Sequence, residues 1–165
     1  MKILTLNTHS LLEENQQQKL AWFVEGILKE KPDIIAMQEV NQTANAAFME
    51  LELLEGQYPI PGCMQIRADN YAALVASRLR KAGIDCYWAW LPVKRGYDRY
   101  DEGITVPGKI DGWRESHRVK PQEGMRLDYI WCNRKRTVLS SRVVFNGIQE
   151  PVVSDHFGVL IEVKE

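Results

Sequence analysis

Asp155 and His156 are adjacent, at the start of an apolar and β-branched run over 157–163. Such a run is typical of a buried strand, and polar side chains at a strand end are held by the scaffold while the loop leaves them accessible. An imidazole titrates near neutral pH, so His156 can accept and release protons, and a carboxylate can bind a cation. The pair predicts a site of proton transfer or metal binding before the last strand.

Three further polar residues stand at the ends of predicted strands. Asn7 follows the strand predicted over 2–6, Glu39 follows the apolar run at 34–37, and Asp128 lies in an Arg-Leu-Asp-Tyr segment entering another strand. Divalent cations such as Mg²⁺ prefer carboxylate and amide oxygens, and they neutralise charge during phosphate-ester hydrolysis. Each residue has a structural alternative: Asn7 can cap the turn, Glu39 can be a surface glutamate, and Asp128 can pair with the arginine of its segment.

In this order, these segments resemble the signatures of the endonuclease/exonuclease/phosphatase superfamily. Residues 2–9 are similar to that family's first strand, 32–40 to its second strand, and 126–130 and 154–156 to its last two signatures. The resemblance implies a DNase I-like four-layer fold of the α/β (α+β) class, in which mixed β-sheets form a sandwich flanked by helices. It also implies a metal-dependent phosphoesterase.

The resemblance gives each of these residues a role. It implies that Glu39 binds Mg²⁺, or Mn²⁺ in its place, and that Asp155 is a second ligand of the metal or of a water. It implies that Asn7 contacts both the cation and the substrate phosphate. His156 is implied to be the general base or to stabilise the pentavalent phosphorane, with Asp128 orienting its ring.

Two other side chains near these segments have less specific interpretations. Trp113 is a candidate aromatic wall against a sugar or a nucleobase, since aromatic faces stack on both. His9 is interpreted as a solvated loop histidine and is left outside the predicted site.

The chain departs from the family pattern in its middle. The Gly-Asp-x-Asn turn that positions phosphate and nucleophile is absent, and so is an earlier Ser-x-His strand. Residues 100–104 resemble the start of one family strand, whereas 105–113 resemble a segment much further along. We therefore predict one domain over 1–165 that lacks its central segment, with a junction near 104–105. This predicts little or no turnover, and the alternative of another class is an inactive remnant that only binds metal or ligand.

Composition favours a small substrate. The formal net charge is −1 and the pI is 6.3, whereas a nucleic-acid-binding domain typically has a pI above about 9. The sequence resembles bacterial members of the maltose 6'-phosphate phosphatase type, which implies a phosphatase acting on a small phosphorylated metabolite such as a sugar phosphate. An endonuclease or exonuclease acting on DNA or RNA is the alternative within the family.

Other bulk features concern location and association. The three cysteines are scattered, which favours reduced thiols and a cytoplasmic location. No apolar run approaches the ~20 residues that span a bilayer, so we expect no membrane association. Loss of a central segment leaves unpaired sheet edges, which predicts a homo-oligomer.

The elements that must position the site follow from periodicity. Apolar residues recur at helical spacing over 16–29 and 70–82, which predicts two helices, and 42–54 is predicted as a weaker one. Strands are predicted at the following positions: 2–6, 34–37, 85–90, 127–132, 137–145 and 157–163.

Overall fold

The computed structural model describes residues 1–60, 65–90, 130, 132–133 and 135–164. Its regular elements are the strands β1 (Lys2–Asn7), β2 (Ile34–Gln38), β3 (Val138–Val144) and β4 (Gly158–Val163), the helices α1 (Gln16–Glu30) and α2 (Tyr71–Lys81), and two short 3₁₀ helices, Ser10–Leu12 and Leu51–Leu54. The predicted junction near 104–105 lies outside the described residues, and the predicted strand over 127–132 lies mostly outside them.

The strands form one mixed sheet in the order β2-β1-β4-β3. β1 and β2 are parallel and are connected through α1, with Asn7 paired to Gln38 at their last position. β4 is antiparallel to both β1 and β3. The carboxyl ends of β1 and β2 therefore lie beside the amino end of β4, and we call this end of the sheet the site end.

Helix α1 confirms the prediction from periodicity. It begins after Asn15 and ends at Glu30, and the next residue, Lys31, is left-handed and donates its N–H to the Ile27 carbonyl at 2.8 Å. Pro32 follows at once, and proline disfavours helical backbone in the residue before it. The large apolar side chains that α1 buries are Leu20, Phe23, Val24 and Ile27.

Helix α2 also forms where the sequence predicts it. The Asn70 side chain caps its amino end by accepting a hydrogen bond from the Ala73 N–H at 3.2 Å. Gly83 follows its carboxyl end with a φ of 83°, a conformation that glycine adopts without a steric penalty. Both ends of the helix are therefore set by single residues.

The two helices and one face of the sheet share a single apolar core. Its buried members include Leu4 and Leu6 of β1, Leu160 of β4 and Phe23 of α1. Phe145 packs edge-on against Phe23, with ring centroids 5.3 Å apart, and also fills the space beside Gly26. A Cβ on Gly26 would lie 2.3 Å from the Phe145 ring, so only glycine fits there.

Two sequence-based predictions are wrong. Residues 42–54 contain a helix only at Leu51–Leu54, because the backbone before it bonds elsewhere: Met49 N–H to the Ile66 carbonyl, and the Ala47 carbonyl to the Ala68 N–H. The predicted strand over 85–90 is a single bridge between Trp88 and Gln57.

The mixed four-stranded sheet with its flanking helices confirms the α+β class. A second sheet, as the predicted sandwich requires, is not among the described residues. Within the described ranges, every helix is too short or too polar to cross a membrane.

Candidate functional site

The strand order brings three predicted site segments to the site end. Asn7 ends β1, Glu39 follows β2, and Asp155 and His156 precede β4. A direct bond joins two of these segments, because the Ser154 hydroxyl donates to the Asn7 carbonyl at 2.7 Å. Residues that are far apart in sequence are therefore placed at one end of one sheet.

The backbone at the site end turns through an uncommon conformation. His9, Ser10 and Glu39 have positive φ values of 46°, 35° and 53°, and none of them is glycine. Such left-handed residues cost on the order of 1–3 kcal/mol each and persist only where surrounding contacts fix them. Concentrated backbone strain of this kind is a feature of functional sites, and it supports the assignment of this end.

Hydrogen bonds between the loops after β1 and β2 supply those contacts. The Thr8 hydroxyl donates to the Gln38 carbonyl at 2.9 Å, and the Thr8 N–H donates to the same oxygen at 3.0 Å. The hydroxyl of Ser10, which is fully buried, accepts from the Asn41 N–H at 3.1 Å. These described contacts between the two loops involve only uncharged groups.

Asn7 shows the turn-forming role that the sequence left open as an alternative. Its amide oxygen accepts a hydrogen bond from the His9 N–H at 3.1 Å. An amide oxygen has two lone pairs, so this bond leaves one for a further partner. The predicted contact of Asn7 with a cation and a phosphate is therefore compatible with the turn.

Glu39 is half-buried, and its carboxylate has no hydrogen bond or ion pair within the described part of the chain. A half-buried carboxylate without a counter-charge favours the binding of an external cation, because burial disfavours an isolated charge. This is the property expected of the metal ligand predicted at this position.

The structure brings together a group that the sequence did not predict: His9, Glu13 and Asp155. The Nδ1 atom of His9 lies 3.0 Å from Oε1 of Glu13 and 3.8 Å from Oδ1 of Asp155. One potential ligand atom from each residue lies within 4.8 Å of the others. His9, interpreted from sequence as solvated, therefore belongs to the site end.

Glu13 is the most constrained member of this group, with a side chain only 9% exposed. Burial by itself would raise the pKa of its carboxyl, but hydrogen bonds from Lys19 and His9, the charge of Lys19 and the N–H of Asp155 together hold that pKa below its ordinary value. Burial raises the pKa of the Tyr71 phenol, and the negative charge of Glu13 raises it further. Glu13 is therefore ionised near neutral pH and Tyr71 is neutral.

His156 lies half-buried beside Asp155, with its backbone N–H donated to the Ser154 hydroxyl at 3.3 Å. Asp155 is more open, with 26% of its side chain exposed. The predicted Asp128 and Trp113 lie outside the described residues. The pairing of Asp128 with His156 therefore stays a prediction.

The only sequence signal for the missed group is spacing. His9 stands two residues after Asn7, and Glu13 follows four residues later across the short 3₁₀ helix. Neither residue belongs to a periodic pattern. Their proximity to Asp155 depends on contacts across the whole chain.

No protein-family model matches the chain, and no curated protein matches it. Among solved structures, it is similar to an endonuclease/exonuclease/phosphatase family protein from Leptotrichia buccalis C-1013-b, with a TM-score of 0.67 and 20% sequence identity. The match covers 100% of both chains. At this identity the likeness establishes the fold, which is the fold that the sequence resemblance predicts.

Proposed function

We propose that this protein is a metal-dependent phosphoester hydrolase, and within that class a phosphatase acting on a small phosphorylated metabolite such as a sugar phosphate. The observation that carries the proposal is the strand order, which gathers Asn7, Glu39, Asp155 and His156 at one end of the sheet. The shared fold with an endonuclease/exonuclease/phosphatase family protein supports it.

The donor set at the site end fits a hard divalent cation. Glu39 supplies a carboxylate without a partner in the described part of the chain, Asn7 an amide oxygen and Asp155 a second, partly exposed carboxylate. Oxygen ligands of these types suit Mg²⁺, and Mn²⁺ accepts the same set. When bound, the cation supplies charge neutralisation on the phosphoryl oxygens.

The protein's own residues divide the remaining work. His156 takes a proton from the attacking water or stabilises the charge that develops on the phosphoryl group, and Asp128 holds its ring in one tautomer. The Asn7 amide group donates to a phosphate oxygen while its oxygen keeps the turn to His9. Trp113 covers the organic part of the substrate.

The charge of the protein supports a small substrate. The net charge of −1 offers little attraction for a polyanion, whereas a single phosphate needs only the cation and a few donors. We expect slow turnover, because the absent Gly-Asp-x-Asn turn removes positioning groups that are each worth on the order of 10²–10³ in rate. We also propose a cytoplasmic location.

We propose a homo-oligomer formed through β2 and β3, the outer strands of the sheet in the described residues. These edges expose apolar side chains, among them Ile34 at 48% and Val143 at 49%. Exposed edge strands offer unpaired backbone groups to a second copy. Analytical ultracentrifugation tests this, and a monomer at all concentrations would contradict it.

The test of function combines metal binding with turnover. Titration calorimetry measures Mg²⁺ and Mn²⁺ affinity, and phosphate release is measured on a panel of sugar phosphates beside cleavage of an abasic-site duplex. Wild type is compared with Glu39→Ala and His156→Ala. Glu14→Ala is the matched control, because Glu14 is exposed and has no ion pair in the described residues.

The possible results distinguish a phosphatase, a nuclease and an inactive remnant. Metal-dependent phosphate release that is lost in Glu39→Ala and His156→Ala but kept in Glu14→Ala supports the phosphatase. Cleavage of the duplex alone assigns a nuclease. Metal binding without turnover on any substrate identifies the inactive remnant, and absence of metal binding by the folded wild type contradicts the proposal.

A further inference from the structure

Glu13 joins two loops of the site end through a single oxygen atom. Its Oε1 lies 3.0 Å from His9 Nδ1 in the loop after β1 and accepts from the Asp155 N–H, also at 3.0 Å, in the segment before β4. Its other oxygen, Oε2, accepts from the Lys19 ammonium group of α1. Three separate segments therefore converge on one largely buried carboxylate.

This arrangement sets the tautomer of His9. An ionised carboxylate only accepts hydrogen bonds, so the ring nitrogen that faces it, Nδ1, must carry a proton. In the neutral ring Nε2 then keeps its lone pair. Histidines that bind metals are oriented in the same way by a carboxylate at their other ring nitrogen.

The same carboxylate fixes the main chain of Asp155. The Ser154 hydroxyl donates to the Asn7 carbonyl at 2.7 Å, and Glu13 accepts from the next N–H along the chain. The segment that carries Asp155 and His156 is thus held on both sides by the β1 loop region. Loss of Glu13 would remove one of these two contacts.

Glu13 is poorly suited to bind the cation itself. Both of its oxygens accept hydrogen bonds, and the Lys19 ammonium group would repel a divalent ion at Oε2. No cation contacts His9 in the described part of the chain, and the Asp155 side chain is partly exposed.

We propose that Glu13 is a positioning residue of the metal site: it keeps His9 in the Nδ1–H tautomer and fixes the Asp155 backbone, so that His9 Nε2 and the Asp155 carboxylate act as ligands beside Glu39. The inference rests on the proposed function, because it names further groups that hold the cation of that site.

The first experiment measures Mn²⁺ affinity by titration calorimetry for wild type, Glu13→Ala, Glu13→Gln and the control Glu14→Ala. We expect Glu13→Ala to bind about 10- to 100-fold more weakly, as loss of a supporting partner does at other metal sites. Glu13→Gln keeps an oxygen that can accept both bonds, and we expect it to retain most of the affinity. Circular dichroism confirms folding of each variant.

The second experiment needs neither metal nor substrate. Nitrogen-15 NMR of the imidazole rings reports the tautomer of each histidine, and a His9→Gln variant assigns the His9 signals. We expect the Nδ1–H form in wild type and in Glu13→Gln, and its loss in Glu13→Ala together with a shift of the Asp155 amide signal. If Glu13→Ala does not fold, the His9 tautomer can still be compared between wild type and Glu13→Gln, so the experiment still tests the inference.

The possible results distinguish a failure of the role assigned to Glu13 from a failure of the proposed function. Equal Mn²⁺ affinity in wild type and Glu13→Ala, or an Nε2–H tautomer of His9 in wild type, overturns the inference and leaves the phosphoesterase proposal standing. A wild type that binds no Mn²⁺ overturns the proposed function and, with it, the role of His9 and Asp155 as ligands.

Discussion

In the part of the chain that the structure describes, two clusters of charged side chains each contain two carboxylates, and they are built differently. The first, which we call the ion-pair network, lies between α1 and β3 and consists of Lys29, Glu30, Arg142 and Glu150. Lys29 contacts Glu150 at 2.8 Å, Arg142 contacts Glu30, and Arg142 also lies 4.0 Å from Glu150. Two acids and two bases therefore alternate, and the charges balance.

The second, which we call the site cluster, lies at the site end and consists of His9, Glu13, Lys19 and Asp155. Lys19 is the only permanent cation among the four, so with a neutral imidazole the cluster carries one excess negative charge. Glu39 stands at the same end of the sheet and has no partner in the described residues. Negative charge is therefore in excess among these five side chains.

This difference separates a structural cluster from a binding one. In the network, each buried carboxylate has its counter-charge within the fold, so an added cation has nothing to neutralise. At the site end, the Glu39 carboxylate has no counter-charge among the described residues and can bind a divalent ion. We therefore expect substitutions in the network to change stability and substitutions at the site end to change metal affinity.

The largest expected effect is on metal affinity. Glu39→Gln removes the unmatched carboxylate and should weaken Mg²⁺ binding at least about 100-fold, since loss of a supporting partner alone costs about 10–100-fold. The melting temperature without metal should not fall. Calorimetry with Glu30→Gln as the network counterpart checks this, and equal affinity loss in both variants would erase the distinction between the clusters.

Gly26→Ala should destabilise the fold without touching either cluster. The new methyl group would overlap the Phe145 ring, and overpacking of this kind costs about 1–3 kcal/mol. Urea unfolding measures the change. Unaltered Mg²⁺ affinity in this variant would show that a loss of stability does not by itself weaken metal binding. A loss of Mg²⁺ affinity together with stability would contradict our expectation that stability and metal affinity depend on different residues.

Glu150→Gln should lower the free energy of unfolding by about 1 kcal/mol at neutral pH, the difference between a charge-assisted and a neutral hydrogen bond. The substitution removes the negative charge of a side chain that is 3% exposed but keeps an oxygen that can accept from Lys29, and Lys29 itself is largely solvated and tolerates the loss of its counter-charge. Urea unfolding measures the difference. We expect unchanged Mg²⁺ affinity. A lower Mg²⁺ affinity in Glu150→Gln would show that the ion-pair network affects metal binding at the site end.

The smallest expected effect is that the difference in free energy of unfolding between wild type and Glu150→Gln depends on pH. Burial would raise the pKa of the Glu150 carboxyl, but the hydrogen bond and charge of Lys29, a backbone N–H and Arg142 hold it below the ordinary value of 4.5. A lowered pKa contributes stability that is present above the ordinary value and is lost as the pH falls through the lowered one. Unfolding curves of wild type and Glu150→Gln should therefore converge in acid, and a constant gap would contradict this assignment.

The sequence alone predicts the elements that surround both clusters. Helices α1 and α2 and the strands β1 to β4 form where apolar residues recur at helical or strand spacing, and Asn70 caps α2 as its residue type suggests. The polar residues Asn7, Glu39 and Asp155 are also found from sequence, because each stands beside the end of an apolar run. These signals depend only on residues that are close in sequence, so they can be recognised without knowledge of the tertiary structure.

Periodicity fails where backbone groups bond to distant segments. Residues 42–54 have enough apolar side chains to suggest a helix, yet Met49 bonds to Ile66 and Ala47 to Ala68. Such non-local pairing overrides a weak helical preference, since intrinsic propensity differences amount to at most about 1 kcal/mol per residue outside proline.

Only the tertiary structure places Glu13 against Asp155, residues that are 142 positions apart. The sequence determines that Asp155 precedes a strand and that His9 follows one, but not that these strands are neighbours with opposite directions. Strand order and direction follow from the packing of the sheet against α1 and α2, which depends on the whole apolar core. The local spacing of apolar residues predicts which side chains are buried. The contacts between charged side chains in different loops depend instead on how the helices and strands pack together.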